Sequence, residues 1–236
     1  MAKINLLSLK NCPIFQQLQI EEMLLRTSED NWCVINSGST PAIVLGISGK
    51  VEEMVHTEKH KKKPIPLIKR YSGGGTVVVD ENTLFVSFIF QKSAHTFPLF
   101  PEHILRWSTS FYKEAFDIKG FNLKENDYVI GNKKCGGNAQ YIQKNRFVHH
   151  TTFLWDFKPE LMSLLTHPKK TPSYRKGRCH GEFLCSLNKY FPFKKVVLDS
   201  IKTALLYTYS VKEVSAPILA KGQKHRKSTA LVKTTK

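Results

Sequence analysis

Long apolar runs and acidic side chains are both scarce in this chain of 236 residues. No apolar run approaches the roughly 18 residues that a membrane helix needs, so no membrane association is expected. The first residues lack the longer apolar core and the small-residue cleavage site of a secretory signal. We therefore expect a cytoplasmic protein.

Cysteine is also sparse, and its five positions do not form a C-x-x-C pair. An odd number of cysteines in a chain of this size favours reduced thiols over a disulfide framework. Cys179, His180 and Cys185 are too few, and lack the paired spacings, for a zinc site. No structural metal site is predicted.

The shortage of acidic residues, 19 against 36 Lys and Arg, gives a net charge of +17. Nucleic acid is the first partner that such a charge suggests, and an acidic protein is the second. Residues 212–236 hold seven basic residues and one Glu, which accounts for +6 (7 − 1), and they are predicted to form a flexible tail. A second cluster, Lys59–Lys63, is predicted as a loop because Pro64 and Pro66 follow it.

The hydrophobic content of 41% is sufficient for one large folded domain. Apolar periodicity predicts helices at 14–27, 50–56, 101–117, 159–166, 181–189 and 194–208. Strands are predicted at 32–36, 42–47, 65–70, 76–80, 83–90 and 147–157, with a strand, turn and strand over 127–145. Because the strands cluster, the fold class is α+β, with helices packed on a mixed or antiparallel sheet.

Three consecutive glycines, Gly73, Gly74 and Gly75, stand between two predicted strands. Glycines are poor strand and helix residues, so they indicate a bend with positive φ or a close approach of ligand to main chain. Exposed N–H groups in such a bend can cradle an anion, and Lys69 and Arg70 just before it would favour phosphate or carboxylate. An ordinary hairpin loop remains the alternative.

A second segment, residues 126–140, predicts a hairpin that turns at Gly131 and Asn132. Val129 then faces Lys134, which places Lys134 and Asp127 on one face at about 7 Å between Cβ atoms. We infer a Lys134–Asp127 pair that aims the ammonium at a ligand, with a plain surface hairpin as the alternative. Strand alternation points Cys135 to the opposite face, which disfavours a catalytic thiol.

Three ordered stretches carry a resemblance to a known family. Residues 70–80, Arg-Tyr-Ser-Gly-Gly-Gly-Thr-Val-Val-Val-Asp, resemble the Arg-Arg-x-Ser-Gly-Gly-Gly-x-Val-x-His-Asp motif of lipoate–protein ligases, which are related to octanoyltransferases and biotin–protein ligases. Lys69 replaces the first Arg, and Val79 replaces the His. Residues 134–139 are similar to the family's Lys-x-Ser/Gly-Gly-x-Ala segment, and 149–154 to its His-His-Gly/Cys-Thr-Leu-Leu strand.

The resemblance implies an acyl-adenylate pocket. Lys134 would contact both the acyl carboxylate and the ATP α-phosphate, with Asp127 orienting it. The residues implied for ATP and adenylate are Arg70, Gly75, Thr76, Val77, Val78 and Lys134. Those implied for lipoate are Ser72, Gly73, Gly74, Lys134, Gly137 and His149. His149 and His150 should face opposite sides of their strand, one bordering the pocket and one in the core.

The implied activity is ATP-dependent activation of lipoate or octanoate, with Mg²⁺ on the phosphates, and transfer to a lysine. The acceptors would be lipoyl domains of 2-oxoacid dehydrogenase E2 subunits, glycine cleavage H protein, or both. Arg175 or Arg178 could contact phosphate, although a solvated basic loop is an equal alternative. Residues 1–211 are expected to form the catalytic domain, with no accessory domain after it, so a separate accessory subunit is possible.

Three rival functions remain open at this point. One is a transferase that uses a preformed acyl donor, including a cysteine-dependent octanoyltransferase. A biotin ligase fits less well, because the glycine turn has the Ser-Gly-Gly-Gly form. The third is a basic nucleic-acid-binding protein on a retired enzyme scaffold, although nucleic acid is not the expected partner.

Overall fold

Two β-sheets and seven α-helices make up the fold in the described part of the chain. The computed structural model describes residues 1–166, 171–215 and 225–232. The strands are β1 (Lys3–Lys10), β2 (Trp32–Ser37), β3 (Ala42–Leu45), β4 (Leu67–Lys69), β5 (Val77–Val79), β6 (Thr83–Gln91), β7 (Phe121–Lys124), β8 (Asp127–Ile130), β9 (Lys133–Ile142), β10 (Arg146–Leu154), β11 (Ser210–Val214) and β12 (Ala230–Leu231). The helices are α1 (Ile14–Thr27), α2 (Val51–Met54), α3 (Thr57–Lys62), α4 (Pro101–Phe116), α5 (Pro159–Met162), α6 (His180–Phe183) and α7 (Lys194–Thr208).

The larger sheet has eight strands in the order β11-β1-β2-β6-β10-β9-β8-β7. β1 runs parallel to β11 and β2, and from β2 to β7 neighbouring strands are antiparallel. The smaller sheet has the order β12-β4-β3-β5, with β3 parallel to β4. The predicted α+β class with a mixed sheet is confirmed.

Helices cover one face of the large sheet, and the small sheet lies beyond its other face. The first core joins β6, β9 and β10 to α4 and α7 through residues such as Phe88, Phe111 and Ile201. The second core packs α1 between the two sheets, with Leu18, Val44 and Phe85 fully or nearly buried. A third, smaller core lies on the outer face of β3 and β4 against α5. α1 therefore lies between the two sheets, which brings its polar residues close to both.

The predicted basic loop at Lys59–Lys63 is wrong, because most of it lies in α3. Helical amide bonds form there, from His60 N to His56 O at 2.9 Å and from Lys63 N to Lys59 O at 3.1 Å. His60 is buried and its ring is 2.8 Å from the Ile65 carbonyl, so the helix is fixed by packing. Pro64 and Pro66 follow the end of α3 and therefore do not interrupt it.

The predicted helix at 181–189 is interrupted. α6 ends at Phe183, and a short 3-10 turn covers Leu187–Lys189. Leu184 between them pairs with Lys134 in an isolated parallel bridge, and Cys185 N donates to Lys134 O at 2.8 Å. Pairing with β9 overrides the local helical pattern at this point.

The segment predicted as a flexible tail contributes two strands. β11 pairs with β1 and crosses the predicted boundary at residue 211. β12 pairs with β4, while Ser228 N and Thr229 N donate to the Glu22 carboxylate at 2.8 and 3.0 Å. These contacts differ from the expectation of a flexible tail, whose residues 216–224 and 233–236 lie outside the described part. In that part, no helix is long and apolar enough to cross a membrane.

Candidate active site

A cleft of about 600 Å³ opens between the two sheets. The glycine turn and β5 form one wall, and the β8–β9 hairpin forms the opposite wall. Residues of α1 close its inner end. The residues that line these walls include Gln17, Glu21, Arg70, Gly74, Asp127, Lys134, Gly137 and His150.

Arg70 organises the glycine turn from within. Its Nη2 donates to the carbonyls of Gly73 and Gly75 at 2.7 and 2.8 Å, and its Nε to Gly73 O at 3.1 Å. Burial lowers the pKa of Arg70 to about 10, so it stays charged at neutral pH. Because the turn's own carbonyls occupy these donors, Arg70 shapes the cleft wall.

Gly74 has a φ of +97°, which a side chain rarely adopts. A Cβ there would stand 2.8 Å from Arg70 Nη2 and 3.3 Å from Ala139 Cβ. The glycine at this position therefore permits the turn to close against both Arg70 and β9.

The β8–β9 hairpin has the predicted register, with Val129 opposite Lys134 and Ile130 opposite Lys133. Lys134 Nζ lies 2.7 Å from Asp127 Oδ1, and the two side chains are 27% and 10% exposed. A Cβ on Gly137 would come within 3.3 Å of Lys134 Nζ. The missing side chain at 137 leaves the space that the ammonium occupies.

Cys135 lies behind this wall and not in the cleft. It forms an extra residue of β9 at the register shift opposite Tyr128 and Val129. Its side chain belongs to the first core, with Sγ 3.4 Å from Tyr128 O. The pKa of its thiol is raised, mainly by burial, so a thiolate nucleophile is unfavourable at this position. Among the described residues, no three His, Cys, Asp or Glu side chains are grouped to hold a metal ion.

The two histidines of β10 do face opposite sides, and the structure places His149, which was predicted to bind lipoate, on the core side and not on the cleft wall. His149 is fully buried in the core with Nε2 2.8 Å from Tyr128 OH, and burial lowers its pKa to about 3. His150, on the other face of the strand, lines the cleft. Pairing of β10 with β6 and β9 fixes which face each residue takes, and the sequence alternation alone leaves that choice open.

Ser72, also predicted to bind lipoate, has its side chain buried beside the turn rather than on the cleft wall. Its carbonyl accepts a hydrogen bond from Ile47 N at 3.0 Å. The other predicted residues line the cleft, namely Arg70, Gly73, Gly74, Gly75, Thr76, Val77, Val78, Asp127, Lys134 and Gly137.

The polar inner end of the cleft was not predicted from the sequence. Glu21 is fully buried, with Oε2 2.7 Å from His150 Nδ1 and Oε1 accepting from Gln17 Nε2 at 2.7 Å. Asn36 Nδ2 extends the network to Gln17 Oε1 at 2.9 Å. The available signal was the four-residue spacing of Gln17 and Glu21 on the apolar face of α1.

The cleft thus combines a glycine turn, a lysine oriented by a carboxylate and a deep pocket, which suits an elongated anionic substrate. Residues 13–210 match the family of the lipoyl protein ligase A/B catalytic domain. The chain belongs to this family.

Individual relatives agree with that assignment. The chain is 31% identical over 249 residues to the inactive lipoate–protein ligase 2 of Plasmodium falciparum, covering 78% of this chain and 64% of the relative. It is 29% identical over 200 residues to lipoate–protein ligase 1 of Staphylococcus aureus, covering 78% and 58%. The chain thus spans less than two thirds of these relatives.

Two solved structures share the fold. A bipartite lipoate–protein ligase from Thermoplasma acidophilum has a TM-score of 0.75 at 18% identity, over 94% of this chain and 91% of that one. A lipoate–protein ligase A bound with ATP has a TM-score of 0.74 at 18% identity, over 93% and 92%.

Proposed function

We propose that this chain is a lipoate–protein ligase that activates lipoate or octanoate with ATP and transfers the acyl group to a lysine. The observation that carries the proposal is Lys134, held 2.7 Å from Asp127 in the same cleft as the glycine turn. A compact ammonium at a fixed position suits oxygens that gain negative charge during the reaction.

In the first step, a carboxylate oxygen attacks the α-phosphorus of ATP, forming the acyl-adenylate and releasing pyrophosphate. Lys134 would stabilise the charge on the α-phosphate, and the main chain at Gly75–Val78 would border the nucleotide. Mg²⁺ that arrives with ATP would neutralise the outer phosphates. In the second step, the neutral amine of an acceptor lysine attacks the acyl carbonyl and AMP leaves.

The polar inner end of the cleft bears on how the acyl chain is bound. An apolar chain gains about 0.8 kcal/mol for each buried methylene. The walls near Leu18, Val44 and Phe85 offer such contacts, whereas Glu21 and His150 place polar groups in the same cleft. Lipoate and octanoate both fit this description, and a binding comparison of the two would rank them.

The acceptors we propose are lipoyl domains of 2-oxoacid dehydrogenase E2 subunits or glycine cleavage H protein. One similar structure is described as a ligase with its E2 lipoyl domain, which supports this class of partner. The net charge of +17 favours an acidic domain. A separate accessory subunit stays part of the proposal, since that same neighbour is described as bipartite.

The test incubates purified chain with ATP, Mg²⁺, lipoate and an acidic lipoyl domain, and weighs the acceptor by mass spectrometry. A second reaction supplies lipoyl-adenylate in place of ATP and lipoate. Acceptor modified in both reactions supports the ligase. Modification in the second alone would assign transfer without activation, and no modification in either would overturn both.

A cysteine-independent transferase is the second candidate, because one relative is named an inactive ligase and loss of the activation step alone would leave transfer from a preformed acyl donor. Its thiol-dependent form is disfavoured, because Cys135 is fully buried in the core. Cys135→Ala should therefore leave transfer from lipoyl-adenylate within about twofold. Abolished transfer in this variant, with the fold intact by circular dichroism, would instead favour a thioester route.

A further inference from the structure

Tyr174 connects a loop beside the cleft to the Asp127–Lys134 pair. It lies in a 3-10 turn formed by Ser173–Arg175. Its phenol donates to Asp127 Oδ2 at 2.9 Å, while Asp127 Oδ1 lies 2.7 Å from Lys134 Nζ. One carboxylate therefore joins the phenol and the ammonium through its two different oxygens.

The loop is also held through Ser173, the residue before Tyr174. Glu125 Oε1 accepts hydrogen bonds from Ser173 N at 2.7 Å and from Ser173 Oγ at 2.6 Å. Glu125 lies in the β7–β8 connection, and Asp127, two residues further on, is the first residue of β8. This hairpin thus fixes the loop backbone through Glu125 and the Tyr174 phenol through Asp127.

The neighbouring arginines bind the backbone of this loop, and Arg178 Nη2 also donates to Asn132 O in the β8–β9 turn at 2.9 Å. Arg175 Nε donates to Arg178 O, and Arg178 Nε donates to Arg175 O, both at 2.9 Å. Their guanidinium groups lie 4.8 and 5.4 Å from the centre of the Phe183 ring. In this loop Tyr174, rather than either arginine, reaches the group that orients Lys134.

We propose that Tyr174 is a positioning residue for Lys134, acting through Asp127. Its kinetic consequence rests on the proposed function, whereas its geometry does not. A carboxylate with two donors divides its interaction between them. When Lys134 turns towards an anionic substrate, Tyr174 still satisfies Asp127, so the ammonium is released to the substrate more readily.

The protonation state of Tyr174 agrees with a donor role. Burial, and then the negative charge of Asp127, raise the pKa of the phenol well above its ordinary value. The phenol therefore keeps its proton throughout the physiological range. The hydrogen bond to Asp127 does not switch with pH there.

The test uses Tyr174→Phe, which removes the hydroxyl but keeps the ring packed on Phe183 at 5.2 Å between centroids. The chain is treated with trace acetic anhydride, and acetylation of Lys134 is measured relative to exposed Lys133 by peptide mass spectrometry. Asp127 with one donor fewer should hold the ammonium more strongly, so the Lys134/Lys133 ratio should fall about threefold or more. Tyr190→Phe, at an exposed tyrosine, is the matched control and should leave the ratio unchanged.

Turnover gives a second readout. Under the proposal, Tyr174→Phe raises the KM for ATP about tenfold and changes kcat less than twofold, since substrate must compete with a stronger Asp127. Glu125→Gln loosens the loop backbone but keeps the phenol. Its Lys134/Lys133 acetylation ratio should therefore stay near that of the chain without a substitution. An unaltered ratio in Tyr174→Phe, or an equal fall in Glu125→Gln, would overturn the positioning role. Acetylation needs no turnover, so an inactive chain would count against the proposed function alone.

Discussion

At the scale of single residues, the cleft depends on a few positions where side-chain size and charge are tightly constrained. Lys134 is held by Asp127 on one side, and the missing side chain of Gly137 leaves space on the other. Lys133, its neighbour in sequence, is exposed on the opposite face of the strand. These two lysines therefore form a natural pair for comparison.

Lys134→Ala should reduce adenylate formation by about 10²- to 10³-fold, the effect of removing one group that stabilises developing charge. The measurement is pyrophosphate release with lipoate and ATP. Lys133→Ala is the matched control and should retain activity within about twofold. Wild-type rates in Lys134→Ala would contradict the role proposed for this residue.

Gly74→Ala should destabilise the protein by about 1–3 kcal/mol, because it forces a side chain into a positive-φ conformation against Arg70. Urea unfolding at neutral pH measures this change. Gly75→Ala is the control, since a Cβ there meets no atom within 4 Å. Equal stability of the two variants would show that the turn relaxes without cost.

At the scale of elements, α1 connects the two sheets and also receives the C-terminal segment. Its inner face carries Gln17 and Glu21 into the cleft, and its Glu22 accepts N–H groups from Ser228 and Thr229. Glu22 also pairs with Arg26 at 2.9 Å. A single helix therefore supports the pocket and fixes the strand that borders β4.

Glu22 makes a pH-dependent contribution to stability. Burial alone would raise its pKa, but hydrogen bonds from Thr229, Arg26 and Ser228 outweigh burial and lower it below the ordinary value. A depressed folded-state pKa adds stability above the unfolded pKa of about 4.3 and loses it as pH falls through the folded value.

Glu22→Gln should accordingly lower the free energy of unfolding by about 1–3 kcal/mol at pH 7, with the difference shrinking below about pH 4. Urea unfolding at several pH values provides the measurement. Glu58→Gln, at an exposed carboxylate paired with Lys61, should have little effect at any pH. If Glu22→Gln lowered the free energy of unfolding by the same amount from pH 7 to pH 3, the result would argue against the charged interaction.

At the scale of the whole molecule, the charge of +17 is the dominant property. A charge of this size steers an acidic partner towards the surface. Its attraction is screened over about 8 Å at physiological ionic strength. Under the proposed function, the acyl substrate would by contrast bind within the cleft, where salt screens charge less.

Raising the salt concentration from about 50 mM to about 300 mM should therefore increase the KM for an acidic lipoyl domain severalfold. The KM for lipoate should change less than twofold in the same assays. A competing nucleic acid whose binding falls steeply with salt and is unaffected by Lys134→Ala would favour the nucleic-acid alternative instead.

Local patterns determined much of this protein. The apolar spacing of α1, the position of the glycine turn and the register of the Asp127–Lys134 hairpin were all predictable, because each depends on residues near in sequence. The family motifs likewise lie in contiguous stretches, which is why the resemblance was visible in the sequence.

Tertiary structure decided the rest. Whether His149 or His150 faces the cleft depends on strands β6 and β9, and α6 ends where Leu184 pairs with β9. The contact of Tyr174 with Asp127 joins residues 47 positions apart. The face of a strand and the end of a helix depend on which residues far apart in sequence pack against each other. A local sequence pattern does not specify those partners.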